Sequence, residues 1–221
     1  MHEPCTDKNV IRAAQLDTAT LSDALDRLGI AGQCHGIRGR DTLMHLCGRA
    51  CTIKYGPAST PPGTVGDYID DVAAGSVLAL DNDGREDCTV WGDILTEIAH
   101  RRGIAGTVID GICRDLALAL ELEYPIFSRG HWMRTGKDRV QVEAVNGTVN
   151  LGHARVQSGD ILRGDADGLI VIPAAHEHAV LEAAEEIHAT EKQIREAIRG
   201  GMRLDQARRE LGYHQLQTRR R

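Results

Sequence analysis

Aromatic side chains are scarce in this sequence of 221 residues. Phe, Trp and Tyr together make up 3% of the chain and include a single Phe, whereas hydrophobic residues as a whole reach 42%. The core must therefore be built mainly from Val, Ile, Leu and Ala. A chain of this length can bury a sizeable core, either as one domain or as two small ones.

Long apolar runs and paired cysteines are also missing. No stretch approaches the ~18 apolar residues of a membrane span, and residues 1–4 lack the charged and apolar regions of a secretory signal. The six cysteines contain no Cys-x-x-Cys pair and no zinc-type spacing. Cys47 and Cys51 are expected to be ordinary small apolar residues of a strand. These absences predict a reduced, cytoplasmic protein without a membrane partner.

Signals for binding nucleic acids and nucleotides are absent as well. The net charge is −6, and the one basic run, Arg219–Arg221, is expected to be a solvated terminus. No two glycines stand two positions apart, so the Gly-x-Gly-x-x-Gly dinucleotide motif cannot occur. Gly136-Lys137 is followed by Asp138 and not by Ser or Thr, so there is no P-loop. The chain also has no Gly-x-Ser-x-Gly elbow, which disfavours a serine hydrolase.

Two helices are predicted within residues 1–30. Residues 6–16 form the first, with Thr6 as the candidate cap. The second begins at Asp17, and its apolar stripe consists of Leu21, Ala24, Leu25 and Leu28. Gly29 follows, where a glycine commonly ends a helix.

Strands and helices alternate through the middle of the chain. Short apolar runs predict strands at residues 47–55, 76–80, 107–109 and 125–128. Apolar residues at helical spacing predict helices at residues 65–73, 93–103 and 116–122. In the second of these, Ile94, Leu95, Ile98 and Ala99 are predicted to form the apolar face. This order is typical of crossover units in an α/β protein. The segment Asp81–Gly84 is predicted to be a turn, and residues 129–132 a loop.

The pattern changes after residue 139. Four strands are predicted there, at residues 140–145, 148–156, 160–162 and 169–172. Asn146-Gly147 is a strong turn signal and predicts that the first two form a hairpin. A long helix follows from Ala174 to Gly200, and its inner face is predicted to consist of Val180, Leu181, Ala184 and Ile187. A short helix covers residues 204–211. Hairpins beside crossover units indicate a mixed sheet or two facing sheets.

The candidate functional site lies in the segment from Val90 to Asp115. Asp93 stands at the start of a predicted helix, where free backbone N–H groups can hold an anion such as a carboxylate. The next strand ends in a turn that carries Arg114 and Asp115. A strand-helix-strand order brings this turn to the same sheet edge as the helix start. Arg114 can bind a carboxylate through two hydrogen bonds, and Asp115 can hold a hard divalent cation.

Each of these residues also has a purely structural interpretation. An Arg beside an Asp at a helix start commonly forms a cap and a surface ion pair. Asp93 taken alone is equally consistent with a helix cap. Glycines at positions 92, 106 and 111 open the turns around the three side chains, and this combination favours a functional site.

Histidine gives a weaker signal. His131 follows a predicted strand in a glycine-containing loop and is a secondary candidate for the pocket. His176 and His178 flank Glu177 at a helix start and point to different faces, so both are expected at the surface.

The pattern Gly92-Asp93, twenty residues, Arg114-Asp115 resembles the signature of the class II pyruvate aldolases. These enzymes cleave 4-hydroxy-4-methyl-2-oxoglutarate and 4-carboxy-4-hydroxy-2-oxoadipate. The same fold group contains the regulators of ribonuclease E activity, the RraA-like proteins. The resemblance runs from about Thr20 to Pro173. It includes the stretches Leu21–Asp26, Gly159–Ile161 and Asp165–Gly168.

The resemblance implies an α/β fold of the RraA-like type, a swivelling β/β/α sandwich with mixed sheets and a C-terminal helical segment. It implies a single domain over residues 1–221. The C-terminal helices, within residues 174–221, would lie at a subunit interface of a homotrimer or a dimer of trimers. The implied partner is a small 2-oxo acid substrate.

The resemblance also implies a reaction, the metal-dependent retro-aldol cleavage of a 4-hydroxy-2-oxo acid to pyruvate and a second oxo compound. Oxaloacetate decarboxylation would proceed through the same enolate. Asp115 would bind Mg²⁺, Mn²⁺ or another divalent cation, mainly through waters. Arg114 would stabilise the developing oxyanion, and Asp93 would position or deprotonate a water that serves as acid and base.

Two further roles are implied by the resemblance. The backbone at Gly92, Ile94 and Leu95 would hold the substrate carboxylate. Glu191 is the best match to a metal-site glutamate that the aldolases receive from an adjacent subunit and that the regulators lack. Two alternatives stay open: a non-enzymatic regulator that binds ribonuclease E or another protein, and a metal-dependent lyase for a different oxo acid.

Overall fold

The computed structural model describes residues 6–213 and residue 216, so the segments 1–5 and Arg219–Arg221 lie outside the described residues. The helices are α1 (Lys8–Ala14), α2 (Thr18–Leu28), α3 (Asp93–Arg101), α4 (Leu116–Glu121), α5 (Glu177–Arg199) and α6 (Leu204–Glu210). The strands are β1 (Arg38–Gly39), β2 (Leu46–Pro57), β3 (Val77–Thr89), β4 (Gly106–Cys113), β5 (Ile126–His131), β6 (Val140–Val145), β7 (Val149–Leu151), β8 (Ala154–Val156), β9 (Ile161–Asp165) and β10 (Gly168–Ile172). Short 3-10 helices cover Asp67–Asp71 and Ala174–His176.

Eight strands form one mixed sheet. Its order is β1-β5-β4-β3-β2-β9-β10, and β6 also pairs with β2. Strands β2 to β5 are parallel, whereas the others run antiparallel to their neighbours. β2 holds two partners on one edge, because residues 46–49 pair with β9 and residues 53–57 pair with β6. The predicted α/β fold with a mixed sheet and a C-terminal helical segment is confirmed.

Three apolar clusters hold the layers together. One face of the parallel strands packs against α3 and α4, and the other face packs against the β7–β8 hairpin. Side chains alternate between these faces along β3, with Leu78 in the first cluster and Ala79 in the second. The third cluster joins β9 and β10 to α1, α2 and α5. The single Phe, Phe127, is fully buried in the second cluster.

Two buried carboxylates attach the β7–β8 hairpin to the sheet. Asp81 of β3 accepts a hydrogen bond from the Asn150 amide at 3.0 Å, and Asp110 of β4 accepts one from the Gly152 amide at 2.7 Å. Each carboxylate also has a cationic partner, Lys54 for Asp81 and Arg129 for Asp110. Burial of these charges is tolerated because every carboxylate is both paired and hydrogen-bonded.

The predicted helices α2 and α5 are confirmed. The Asp17 side chain caps α2 by accepting from the Thr20 amide at 2.7 Å, and Gly29 ends the helix with a φ of 70°. α5 ends before Gly200, and its predicted inner residues Val180, Leu181, Ala184 and Ile187 are fully buried. His176 and His178 are exposed as predicted. None of the helices in the described part of the chain has the length and apolar character needed to cross a bilayer.

Some local helix predictions are wrong. Asp7 rather than Thr6 caps α1, since its side chain accepts from the amides of residues 9 and 10. Leu28, expected in the apolar stripe of α2, is 40% exposed because the helix ends there at the edge of the cluster. The helix predicted over residues 65–73 is only the 3-10 turn Asp67–Asp71.

The predicted turn at Asp81–Gly84 is also wrong, because β3 continues through it to Thr89. Asp83 and Gly84 have positive φ angles of 55° and 66°, and the pairing with β4 shifts register there. A β-bulge uses the same residue types as a turn, which explains the error. Similarly, β5 extends through the predicted loop to His131.

The predicted hairpin at Asn146-Gly147 does not form. β6 pairs antiparallel with β2, with Val142 opposite Tyr55, and the hairpin is made instead by β7 and β8. Asn146 does adopt a positive φ of 60°, so the dipeptide bends the chain. The partner of β6 is nonetheless chosen by the exposed edge of β2, about 90 residues upstream.

Candidate active site

A pocket of about 550 Å³ lies at the carboxyl ends of β3 and β4, beside the helices α3 and α4 that follow them. Crevices at the carboxyl ends of parallel strands are common ligand sites in α/β sheets. The lining contains the predicted positions Gly92 to Leu95 and Arg114. The opposite wall comes mainly from residues 63–67, before the 3-10 helix, and residues 135–137, between β5 and β6.

The three charged groups of the sequence pattern meet beside this pocket, where Asp93 and Arg114 belong to the lining and Asp115 contacts both of these residues. Asp115 Oδ2 lies 3.1 Å from Arg114 Nε and accepts a hydrogen bond from the Asp93 amide at 3.2 Å. The Arg114 amide in turn donates to the Trp91 carbonyl at 3.1 Å, which ties the end of β4 to the start of α3. Both side chains of the Arg114–Asp115 pair remain more than one-third exposed, at 37% and 38%. They are therefore accessible to a ligand.

The cap interpretation of Asp115 is wrong. Asp115 occupies the N-cap position of α4, but its side chain makes no capping hydrogen bond and faces α3 instead. Its backbone is left-handed, with φ 58° and ψ 41°. This conformation is uncommon for a residue other than glycine and is often retained at functional sites. The ion-pair interpretation is confirmed, because the carboxylate contacts Arg114.

Asp93 bonds to the first turn of α3, as the cap interpretation predicts, but it does not occupy the N-cap position. Gly92 is the N-cap residue of α3, and Asp93 is the first helical residue. The Asp93 carboxylate accepts from the Ile94 amide at 2.8 Å, so one donor of the predicted carboxylate cradle is bonded to protein. The Leu95 amide has no acceptor among the described residues. A substrate carboxylate can therefore bind the helix start most directly at Leu95.

Gly92 is required by the packing between α3 and the Arg114–Asp115 pair. A Cβ atom at this position would lie 2.8 Å from Asp115 Oδ2 and 3.2 Å from Arg114 Nε. The φ of Gly92 is −152°, which any residue can adopt, so the requirement is for space and not for backbone freedom. The absence of a side chain lets the pair lie directly against the helix start.

A buried hydrogen-bond chain holds the start of α3 in place. Trp91 Nε1 donates to the Thr96 hydroxyl at 2.9 Å, and this hydroxyl donates to the Gly92 carbonyl at 3.0 Å. The Trp91 ring stacks on Tyr124, with ring centroids 6.3 Å apart. Burial raises the pKa of Tyr124, so the phenol stays neutral at physiological pH. The wall behind the site is thus rigid and carries no charge of its own.

The two apolar residues at the helix start differ in exposure. Ile94, predicted to lie on the buried face of α3, is 72% exposed and lines the pocket, whereas Thr96 is fully buried. Thr96 can be buried because its hydroxyl is hydrogen-bonded to the indole of Trp91. Leu95 is partly buried and packs against Gly66 of the opposite wall.

Two other candidates lie away from this arrangement in the single chain. Glu191 is on α5 and pairs with Arg195 one turn later, at 3.2 Å. His131, at the end of β5, is exposed and does not line the pocket. Cys113 precedes Arg114, but burial raises the pKa of its thiol and makes it a poor nucleophile. Cys47 and Cys51 lie in β2, as expected.

The donor set at Asp115 fits a magnesium-type ion that keeps most of its waters. One carboxylate oxygen, Oδ2, contacts Arg114 and the Asp93 amide, whereas Oδ1 has no hydrogen-bond partner among the described residues. No group of three or more His, Cys, Asp or Glu side chains in the described part of the chain is arranged as a closed metal site. Mg²⁺ commonly binds through one or two carboxylates plus water and substrate oxygens.

The opposite wall was not predicted from the sequence. Thr64, Asp67 and Lys137 line the pocket, but Asp67 belongs to the segment predicted as a helix over residues 65–73, and Lys137 was considered only in rejecting a P-loop. Nothing local in the sequence places these segments beside α3. A usable signal is the polar run Thr135-Gly136-Lys137, which is short and rich in donors and lies between two strands.

Comparison with known proteins identifies related chains. The family model described as RraA-like, Aldolase/RraA, matches residues 18–171. Protein DlpA of Legionella pneumophila is 38% identical over 90% of this chain, which covers 33% of the length of DlpA. A Halalkalibacterium halodurans protein named "Putative 4-hydroxy-4-methyl-2-oxoglutarate aldolase" is 32% identical over 83% of this chain and 85% of its own length.

Solved structures show the same fold. An uncharacterized protein from Pseudomonas syringae is 40% identical and has a TM-score of 0.86 over 94% of this chain and 100% of its own. Streptomyces coelicolor RraAS2, described as an unusual member of the RNase ES inhibitor RraA protein family, is 25% identical. Its TM-score is 0.78 over 87% of this chain and 98% of its own. The architecture predicted from the resemblance is therefore confirmed.

Proposed function

The chain belongs to the RraA-like family, and from this premise we propose that it is a divalent-metal-dependent lyase acting on a 4-hydroxy-2-oxo acid. The products are pyruvate and a second oxo compound, and oxaloacetate decarboxylation is a side reaction that uses the same enolate. The observation that carries the proposal is the contact of Asp115 with Arg114 and with the start of α3, both of which line one open pocket.

Leu95 and Arg114 bind the substrate and stabilise the charge that develops during the reaction. The free Leu95 amide at the helix start binds the C1 carboxylate of the substrate. The guanidinium of Arg114 faces the 2-oxo oxygen and stabilises the negative charge that develops on it. A preorganised donor of this kind contributes about 3 kcal/mol to transition-state stabilisation.

Asp93 is proposed to act in the proton transfers of the reaction. The 4-hydroxyl group gives up its proton to a water held by Asp93, the C3–C4 bond breaks, and C4 becomes a carbonyl. The bonding electrons pass into the pyruvate enolate, which takes a proton at C3 to give the methyl group of pyruvate. Oδ1 of Asp93 accepts from the Ile94 amide, and Oδ2, which has no hydrogen-bond partner among the described residues, is proposed to hold this water. Release of Oδ1 would make the Ile94 amide a second donor for the substrate carboxylate.

Asp115 is proposed to hold the divalent cation, Mg²⁺ or Mn²⁺, through its free Oδ1 atom. When bound, the ion supplies Lewis-acid polarisation of the 2-oxo group. Glu191 is proposed to reach the site of a neighbouring subunit in a trimer or a dimer of trimers. This assembly would place the exposed C-terminal part of α5 at a subunit interface.

The test is direct measurement of pyruvate. Purified protein is incubated with 4-hydroxy-4-methyl-2-oxoglutarate or oxaloacetate, with Mg²⁺ or with a chelator, and pyruvate is followed by coupled NADH oxidation. We expect turnover that requires the metal and is abolished in Arg114→Ala and Asp115→Asn. Arg101→Ala is the matched control, since Arg101 is exposed at the far end of α3.

The alternative is a regulator of ribonuclease E type, as the likeness to RraAS2 suggests. It is favoured by the lack, among the described residues, of a group of three or more His, Cys, Asp or Glu side chains that could hold a metal, which leaves an ion at Asp115 dependent on water, substrate or another subunit for its other ligands. Failure of the wild-type protein to release pyruvate from any 2-oxo acid tried, together with tight binding to a ribonuclease E-type enzyme, would replace the lyase proposal with this one.

A further inference from the structure

We propose that the part of the pocket that runs along α3 binds an alkyl substituent at C4 of the substrate, so that the protein prefers 4-hydroxy-2-oxo acids with an apolar chain over those with a distal carboxylate. The inference rests on the proposed lyase function and assigns a substrate class to the same pocket. It follows from the apolar side chains that line this part of the pocket and from the sign of the charges beside them.

We call this part of the pocket the apolar groove, and it lies between α3 and residues 65–70. Its apolar lining consists of Val65, Ile69, Ile94, Leu95 and Ile98. Ile94 and Ile98 are four residues apart, so they lie one turn apart on the same face of α3. The opposite wall touches α3 where Gly66 packs against the Leu95 side chain. The groove therefore has apolar side chains on both sides.

The apolar groove begins at the helix start, where the Leu95 amide is proposed to bind the C1 carboxylate of the substrate. An α-helix rises about 1.5 Å per residue, so the face from Ile94 to Ile98 extends about 6 Å along α3. One turn further along, Arg102 donates to the Val72 carbonyl at 3.3 Å and lies 3.8 Å from Asp70, which closes the far end of the groove. A substrate held by its C1 carboxylate at the helix start can extend its C4 substituent along this face.

The exposure of Ile94 indicates an apolar ligand. Its side chain is 72% exposed although it lines the pocket, whereas Leu95 and Ile98 are partly buried against the first apolar cluster. Ligand pockets are typically lined by apolar side chains with a few polar groups that fix the orientation of the ligand. In this pocket, Arg114 and the helix start form the polar end, and the apolar groove can remove an alkyl chain from water.

The charges beside the apolar groove disfavour a second carboxylate. Asp67 and Asp70 are exposed, line the pocket and belong to the same wall as Ile69. An anionic group in the groove would be repelled by these carboxylates and would lose its hydration beside apolar side chains. The two cations of the lining are not on the walls of the groove, because Arg114 follows β4 and Lys137 lies between β5 and β6. The groove therefore favours an uncharged substituent.

The experiment measures pyruvate release, in the presence of Mg²⁺, from straight-chain 4-hydroxy-2-oxo acids with five, six and seven carbon atoms. In each acid the C3–C4 bond breaks, and the second product is acetaldehyde, propanal or butanal. A fourth compound, 4-hydroxy-2-oxoheptanedioate, differs from the seven-carbon acid only in carrying a carboxylate in place of the terminal methyl group. Each variant is compared with wild type on the same pair of compounds, so that differences in intrinsic reactivity cancel.

For wild type, kcat/KM should rise about three- to fourfold with each added methylene group, as expected for burial of one CH₂ group in an apolar site. The seven-carbon monoacid should exceed the diacid by about tenfold, because the diacid places a charge in the apolar groove. In Ile94→Asn, the rise in kcat/KM should fall to less than about twofold per methylene group. Ile94→Leu should retain the rise, because leucine keeps an apolar side chain of the same volume.

Leu43→Asn is the matched control, because Leu43 is 84% exposed and outside the pocket. It should keep the wild-type dependence on chain length. A second copy of the chain is the other occupant that an exposed isoleucine suits, so the oligomeric state is measured by light scattering. A smaller assembly in Ile94→Asn than in wild type would assign Ile94 to a subunit contact and overturn the inference.

The kinetic outcomes separate this inference from the lyase proposal. Pyruvate release by wild type that does not increase with chain length, or that is faster from the diacid, overturns the inference and leaves the lyase proposal intact. The same holds if pyruvate is released only from 4-hydroxy-4-methyl-2-oxoglutarate. If no compound yields pyruvate, the lyase proposal fails and the inference fails with it.

Discussion

Replacing Gly92 with alanine adds one methyl group at the point where α3 meets the Arg114–Asp115 pair. The new Cβ would lie 2.8 Å from Asp115 Oδ2 and 3.2 Å from Arg114 Nε, whereas ordinary contacts begin near 3.4 Å. The carboxylate or the helix start must therefore move by about 0.6 Å, since packed interiors do not tolerate such overlap. The movement falls on the residues that we place in catalysis.

We expect Gly92→Ala to lower the catalytic rate more than the stability of the fold. A displacement approaching 1 Å at a catalytic group can cost on the order of 100-fold in rate, so we expect kcat/KM for Gly92→Ala to fall by about 10- to 100-fold. Folding should be affected much less, because Gly92 is at a helix end and Asp115 is 38% exposed and can move toward solvent.

The assay is steady-state pyruvate release combined with thermal unfolding. Gly147→Ala is the control, because a Cβ atom there meets only the Ala144 methyl group at 3.7 Å. It should behave as wild type in both measurements. Wild-type kinetics in Gly92→Ala would refute the reasoning, because the Arg114–Asp115 pair would then not need its observed position.

Two further predictions concern stability. Thr96→Val leaves the buried Trp91 N–H without an acceptor, so the free energy of unfolding in urea should fall by about 1 to 3 kcal/mol. The free energy of unfolding of Thr96→Ser should fall by less, because serine keeps the hydroxyl group. Arg49 lowers the pKa of Asp7 and of Glu177 below their ordinary values of 3.8 and 4.5. Arg49→Met should lower the free energy of unfolding by about 1 to 2 kcal/mol at neutral pH. This difference in unfolding free energy from wild type should shrink as the pH falls below these ordinary values, because protonation neutralises both carboxylate partners of Arg49. A difference that is independent of pH between neutral and acidic solution would contradict the second prediction.

Local signals predicted the parts of the fold that are formed locally. Asp17 and Gly29 mark the ends of α2 because capping depends on residues within one turn of the helix. The inner face of α5 follows from helical spacing alone. The same local reasoning failed at Asn146-Gly147, because the partner of β6 is β2, far away in sequence. It failed at Asp83-Gly84 because a bulge and a turn share their residue types.

The candidate site shows the same division. Asp93, Arg114 and Asp115 could be placed together from one strand-helix-strand unit, because parallel strands bring their carboxyl ends to one edge. The detail that Asp115 accepts from the Asp93 amide rather than capping α4 required coordinates. Lys137 was missed because its approach to the pocket depends on pairing between Thr89 and the 134–136 segment.

The most direct test of the central claim is a crystal structure of the protein with Mg²⁺ and pyruvate. We expect the ion beside Asp115, the pyruvate carboxylate at the start of α3 near the Leu95 amide, and the 2-oxo oxygen facing Arg114. Pyruvate and Mg²⁺ bound elsewhere, with this pocket empty at saturating concentrations of both, would contradict the account.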